Sequence, residues 1–324
     1  MTTARALWIT APGRAELRAE MLPVPAADGV LVRMLHSALS RGTERLVLEG
    51  RVPESEWARM RAPLQAGEFP FPVKYGYCAV GVIEAGPAAR IGETVFCLHP
   101  HQDRFLAPAT MCIPLPPGLP PARAVLGANM ETALNILWDA RPLLGERVLV
   151  VGGGVVGLLL ARLLARMPGT AVALHDTDAR KQALAEAAGA RFLADATAIQ
   201  ADQDLVIHAS GQPDGLVTAL GACGFEGRVL EASWFGTRPV SLPLGEAFHA
   251  RRLTIQATQV GSLAPSMRGR RSHAERLELA LRLLAEDDWC DALLAAPVRF
   301  DDLPAALPAL LGPDGPPCPL VAYV

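Results

Sequence analysis

Three glycines, an aspartate and two closely spaced histidines are where chemistry could gather in this chain. Gly152-x-Gly154-x-x-Gly157 lies in RVLVVGGGVVGLLLARLL, after an apolar strand-like run and at the start of a helical one. That spacing allows a tight turn at Gly152, close approach of an anion to the backbone at Gly154, and close helix–strand packing at Gly157. The helix opened by Val155 and Val156 would turn its N–H groups and positive dipole end toward a pyrophosphate. Asp176 ends the next apolar run, AVALHD, 24 residues after Gly152. A carboxylate there accepts hydrogen bonds from both ribose hydroxyls and repels a 2′-phosphate, while Asp178 is better placed to cap the helix that follows. The motif in this setting predicts dinucleotide binding, with NAD favoured; Arg180 and Lys181 leave NADP open. His99 and His101, in FCLHPHQD, suit acid–base exchange because imidazole titrates near neutrality, although a His-Pro-His turn is equally a surface structure.

The elements that must position these groups fall into three zones. Residues 1–121 carry short apolar runs (Ala6–Thr10, Val30–Leu35, Ala79–Glu84, Thr94–Leu98, Phe105–Ile113) separated by Pro and Gly, as in an all-β barrel. Residues 122–262 alternate helices and apolar strands, the signature of a parallel sheet covered on both faces. Expected there are a helix over 122–140, strands at 147–151, 171–175, 205–209 and 228–233, and helices at 155–166, 178–188 and near 214–223. Ser233 and Trp234 fall at the carboxyl edge of the last strand, where such sheets bind ligands. Residues 263–324 open with a helix marked by a Ser272/Glu275 capping box and a Leu277, Leu281, Leu284 stripe.

Composition narrows the classes. The chain has 324 residues, 51% apolar and 19% charged, which excludes a disordered chain, and its formal net charge of -3 argues against a general binder of nucleic acid or another polyanion. No apolar run approaches the roughly 20 residues of a membrane span, and the first residues lack a signal-peptide core, so a cytoplasmic protein is expected. Six scattered cysteines with no C-x-x-C pair read as buried, reduced thiols. Lys74 and Lys181 are the only lysines, and no G-x-S-x-G elbow, Walker A loop or His-rich metal box is present.

The segments SRGTE (Ser40–Glu44), VKYGYCAVGVIEAG (Val73–Gly86), IGETVF (Ile91–Phe96), VLVVGGGVVG and DLVIHASG (Asp204–Gly211), in this order and spacing, resemble the medium-chain dehydrogenase/reductase superfamily. The resemblance covers essentially the whole chain. It implies an α/β protein with a GroES-like β-barrel catalytic domain (1–121 and 263–324) and a Rossmann cofactor domain with a doubly wound parallel sheet (122–262). It implies an oxidoreductase moving a hydride between a nicotinamide cofactor and a secondary alcohol or ketone. Ala209, Ser210 and Gly211 would line the cofactor cleft, with Ser233 nearby, whereas His208 reads as a satisfied core histidine.

The family's zinc ligands do not carry over. Where zinc members have Cys-Gly-Thr-Asp this chain has Arg41-Gly42-Thr43-Glu44, and where they have Gly-His-Glu it reads Gly76-Tyr77-Cys78. Only Glu131 falls where polyol dehydrogenases place a ligand glutamate, and the four-cysteine structural lobe is missing, so neither a catalytic zinc nor another metal site is expected. The resemblance then points to Thr43 as a hydroxyl relay, to Tyr77 as a donor to a carbonyl oxygen from the vacated ligand position, and to Glu131 as its orienting acid. His99 and His101 would serve acid–base exchange. SRGTE and the missing ligands are most similar to a zinc-poor branch that includes bacteriochlorophyllide dehydrogenase. An NADPH-dependent enone or quinone reductase, and a nucleotide-binding protein without catalysis, stay open. The expected partners are a small-molecule substrate, anionic if Arg251-Arg252 or Arg268, Arg270 and Arg271 grip it, and by analogy a second copy of the chain.

Overall fold

The computed structural model describes residues 1–323, which divide into two compact units: Met1–Ala128 with the segment from Leu277 onward, and Asn129–Arg276. The first unit opens with β1 (Thr2–Ala11) and β2 (Arg14–Leu22), a hairpin, followed by β3 (Gly29–Ala38) and the short helix α1 (Arg41–Leu48). Next come β4 (Ala66–Gly67), β5 (Val73–Lys74), β6 (Ala79–Ala85), β7 (Thr94–Cys97), β8 (Arg104–Pro108) and β9 (Ile113–Pro114). The apolar run expected as one strand over 105–113 is cut after Pro108 by a helical turn at Ala109–Met111. Strand β2 was not expected at all. Its residues, RAELRAEML, alternate exposure along the strand but carry charge on the outer face, so no apolar run marks it.

The helix expected over 122–140 is two pieces, α2 (Pro121–Ala124) and α3 (Gly127–Ala140). Next to α3 in the chain, the second unit builds a six-stranded parallel sheet from β10 (Arg147–Val151), β11 (Ala171–His175), β12 (Arg191–Leu193), β13 (Gln203–His208), β14 (Cys223–Glu231) and β15 (Thr254–Ala257). Helices α4 (Val155–Ala165), α5 (Gln182–Ala187) and α6 (Pro213–Ala222) make the crossovers. Strand order is β12-β11-β10-β13-β14-β15. The order reverses between β10 and β13, and that switch point leaves a crevice at the carboxyl ends of both strands. Val148, Leu149 and Val150 are fully buried, as a strand covered on both faces requires.

The chain then returns through α7 (His273–Ala285), β16 (Val298–Arg299), α8 (Leu303–Leu311) and β17 (Leu320–Ala322). The capping box forms as expected: Ser272 N–H donates to Glu275 Oε2 at 2.7 Å and Glu275 N–H to Ser272 Oγ at 3.2 Å. In the first unit one sheet runs β2-β1-β5-β4, and a second runs β16-β17-β3-β6-β7-β9 with β8 also paired to β3. Val30, Val32, Met34, Ile83, Val95 and Phe105 pack as a core inside the larger sheet, each contributing about 1.5–3 kcal/mol of apolar burial. All six cysteines are buried and none forms a disulfide. No helix among the described residues is long and apolar enough to cross a membrane.

Candidate active site

The glycine cradle forms at the switch point. Gly152 takes φ +111°, and a Cβ on it would lie 2.6 Å from Ser210 Cα, so only glycine lets the loops after β10 and β13 meet. A Cβ on Gly157 would collide with the Gly152 carbonyl oxygen, which fixes how closely α4 docks on β10. Gly154 is the N-cap of α4 with open space in front of it, and Val155 and Val156 form the first turn. First-turn N–H groups have no partner within their helix, so the cradle fits a pyrophosphate.

Asp176 follows β11 and is held in place three times. Its Oδ2 accepts from Gly153 N–H at 2.7 Å and from Lys181 Nζ at 2.8 Å, and its Oδ1 accepts from Asp178 N–H at 2.9 Å. Asp178 is the cap of the following turn, accepting from Arg180 N–H, as expected. The Lys181 ammonium was not foreseen as a partner. It neutralises much of the charge through which Asp176 would repel a phosphate. Ala209, Ser210 and Gly211 form the loop after β13, beside the cradle in the same unit, and Ser233 Oγ accepts from Gly211 N–H at 3.0 Å.

In the first unit Thr43 lies on α1, Tyr77 between β5 and β6, and His99 and His101 after β7. Tyr77 is half-buried; desolvation, then the neighbouring Tyr75, Cys78 and Glu44, hold its phenol well above the usual range, opposed by a hydrogen bond with the Ser40 hydroxyl. Tyr77 is therefore a neutral donor. Thr43 lies in the first turn of α1, half-exposed. His101 is sealed from solvent, with Nε2 3.0 Å from Glu44 Oε2 and Nδ1 2.8 Å from Ser37 Oγ. Ser37 Oγ in turn lies 2.8 Å from the Tyr323 hydroxyl.

His99 departs from expectation. Its ring stacks on Phe105 at 3.9 Å, its Nδ1 bonds the Pro100 carbonyl at 2.8 Å, and burial holds its pKa at about 3. It stays a neutral imidazole at physiological pH, so acid–base exchange near neutrality does not belong to it.

Glu131 is held within the second unit. Arg276, 1% exposed, lies 3.0 Å from Glu131 Oε1 and also donates to Asn135 Oδ1 and the Val260 carbonyl. Desolvation raises the Glu131 pKa, with Arg276 pulling it down. Arg276 carried no sequence signal, because it sits inside a capped, arginine-rich helix start that reads as solvated surface. The arginine that replaces the family cysteine, Arg41, donates to the carbonyls of Gly312 and Pro313. Among the described residues no three His, Cys, Asp or Glu side chains group closely enough to hold a metal ion. Arg251 donates to the Gly221 and Cys223 carbonyls, and Arg252 pairs with Glu226 at 3.2 Å.

No family model matches the chain. The curated 2-desacetyl-2-hydroxyethyl bacteriochlorophyllide A dehydrogenase of Cereibacter sphaeroides is 30% identical over 279 residues, spanning 78% of this chain and 80% of that protein. The chain belongs to the medium-chain dehydrogenase/reductase superfamily. It is an NAD(P)-dependent oxidoreductase with a GroES-like and a Rossmann domain. A short chain alcohol dehydrogenase of Escherichia coli CFT073, complexed with NADH, shares this fold at a TM-score of 0.77 and 16% identity over 100% of both chains. Staphylococcus aureus TarJ, in complex with NADPH, does so at 0.76 and 14% over 100% of both.

Proposed function

We propose that this chain is an NAD(H)-dependent dehydrogenase that interconverts a secondary alcohol and its ketone without a catalytic zinc. The observation that carries the reading is the pairing of an intact cradle, ended by Asp176, with ligand positions whose side chains are engaged elsewhere: Arg41 on carbonyls, Tyr77 on Ser40 and Glu131 on Arg276. Gly152, Gly154 and Gly157 with the first turn of α4 hold the pyrophosphate, Asp176 binds the adenine ribose, and Ala209, Ser210, Gly211 and Ser233 line the cleft. When bound, the nicotinamide supplies or accepts the hydride at the substrate carbon.

The chain's own side chains manage the proton. Tyr77 Oη keeps its proton at neutral pH and donates a hydrogen bond to the substrate oxygen, strongest as that oxygen gains alkoxide character. A phenol raised by burial lies closer in acidity to an alcohol, which eases transfer between the two oxygens. Thr43 relays the hydroxyl proton. His101, oriented by Glu44, offers the one imidazole of the pair that is tied into a hydrogen-bonded chain. The substrate is a small molecule, the chain works in the cytoplasm, and the exposed edge strand β15 offers a pairing surface for a second copy.

One observation favours the second reading, an NADPH-dependent enone or quinone reductase: Lys181 on Asp176 provides a cation where a 2′-phosphate would sit. The test joins metal analysis of the purified protein with NADH and NADPH titrations and a panel of secondary alcohols and enones. A stoichiometric zinc whose removal abolishes alcohol oxidation overturns the zinc-free clause. Enone reduction with NADPH and no alcohol oxidation moves the second reading ahead.

A further inference from the structure

At the carboxyl edge of the parallel sheet lies a cluster whose base and acid, His208 and Glu231, have no part in the proposed alcohol oxidation, although its serines, Ser210 and Ser233, line the proposed cofactor cleft. His208 and Glu231 end β13 and β14 and stand opposite each other in register, so the sheet itself brings their side chains together. His208 Nδ1 lies 2.7 Å from Glu231 Oε2, and His208 Nε2 lies 2.6 Å from Ser210 Oγ. The remaining Glu231 oxygen accepts from Ser233 N–H at 2.6 Å, which locks the carboxylate in place. A carboxylate accepts the Nδ1 proton, so Nε2 is the basic nitrogen and the Ser210 hydroxyl donates to it. Nucleophile, base and orienting acid are recognised by such roles and distances and not by their order in the chain. His208 is fully buried and Ser210 half-exposed, so the base is shielded from water and the serine stands at the edge of the cluster.

The surroundings suit an acyl group. The N-terminus of α6, a ten-residue helix, closes over the serine: a Cβ at Gly215 would collide with Ser210 Oγ and lie 2.7 Å from His208 Nε2. The residue before that helix also holds the hydroxyl, since Gln212 N–H donates to Ser210 Oγ at 3.1 Å. The Phe235 ring, 6.1 Å from the His208 ring and tilted by 21°, adds an apolar wall.

We propose that Ser210, His208 and Glu231 form a nucleophilic triad through which this chain hydrolyses small carboxylic esters. Ser210 Oγ bonds to the ester carbonyl carbon as its proton passes to His208 Nε2. The carbon–oxygen bond to the leaving alcohol breaks, and that alcohol departs with the proton. Water then attacks the acyl-serine, its proton passes through Nε2 back to Ser210 Oγ, and the carboxylic acid leaves; no electron is gained or lost. Glu231 holds the Nδ1 proton throughout.

The probe is p-nitrophenyl acetate, with nitrophenol release followed by absorbance and intact-protein mass spectrometry locating any acetyl group. The wild-type chain should release nitrophenol at least about tenfold faster than Ser210→Ala, with acetyl found on the peptide that contains Ser210. His208→Gln should match Ser210→Ala, and circular dichroism should show all three proteins folded. Should His208→Gln fail to fold, Ser210→Ala, which removes a single oxygen, still decides the matter. A wild-type rate equal to that of buffer, or a Ser210→Ala rate equal to wild type, overturns the proposal. Because Ser210 also lines the proposed cofactor cleft, NADH titration of Ser210→Ala is read separately, and ester hydrolysis is assayed without nucleotide.

Discussion

His101 Nε2 lies 3.0 Å from Glu44 Oε2, and the two side chains are 0% and 4% exposed. An imidazole and a carboxylate placed together away from water depend on each other, since each would be left without its hydrogen bond if the other were removed. The pair reaches further, because Ser37 and the Tyr323 hydroxyl continue the chain from His101 Nδ1. Glu44 also accepts from Ser40 N–H at 2.7 Å, and Ser40 bonds Tyr77, so this buried chain supports the phenol proposed to meet the substrate.

Glu44→Ala should therefore cost about 1–3 kcal/mol by leaving His101 Nε2 without a partner. It should also lower turnover by loosening Ser40 beneath Tyr77. Urea unfolding measures the first effect and steady-state kinetics the second. A variant as stable as wild type would show that water replaces the carboxylate at no cost.

In the proposed reading Asp176 is the ribose acceptor, and with Lys181 it sets the nucleotide preference. Asp176→Ser removes the acceptor for the ribose and should weaken NADH binding about tenfold, close to 1.4 kcal/mol, with less effect on NADPH. Lys181→Ala restores the full charge of Asp176 and should weaken NADPH more than NADH. Fluorescence titration of both variants with both nucleotides gives the four ratios. If Lys181→Ala weakens the two nucleotides equally, the ammonium acts only as a tether for Asp176.

Much of this was legible because it is local. The cradle, β10, β11 and the Ser272/Glu275 box follow from spacing alone, and the capping role of Asp178 from its place three residues past the strand. What escaped depends on register and long-range pairing. Glu44 and His101 are 57 residues apart, and His208 meets Glu231 only because β13 and β14 align at their last residues. His99 and His101 look equivalent in FCLHPHQD, yet burial keeps one neutral while Glu44 and Ser37 engage the other. Helix α8, LPAALPALL, was hidden by its two prolines, one of them in the first turn, where no N–H bond is lost.

Arg276 and Glu131 offer the sharpest test of buried electrostatics in the second unit. Burial raises the Glu131 pKa in the folded state despite Arg276, so the folded protein binds this proton more tightly than the unfolded chain. A raised carboxyl pKa contributes stability that is present below the unfolded value and fades as pH rises through the folded one. Arg276→Met removes the cation that restrains this shift and strands a buried carboxylate, which should cost about 3–5 kcal/mol at neutral pH. The carboxyl of the variant escapes most of that cost by staying protonated, so the loss should be smaller at about pH 5 than at about pH 8. Arg276→Met with Glu131→Gln should recover stability at the higher pH, because no buried charge then remains. Urea midpoints of the three proteins at both pH values check the sign. A loss independent of pH would mean that Arg276 contributes through Asn135 and the Val260 carbonyl and not through its charge on Glu131.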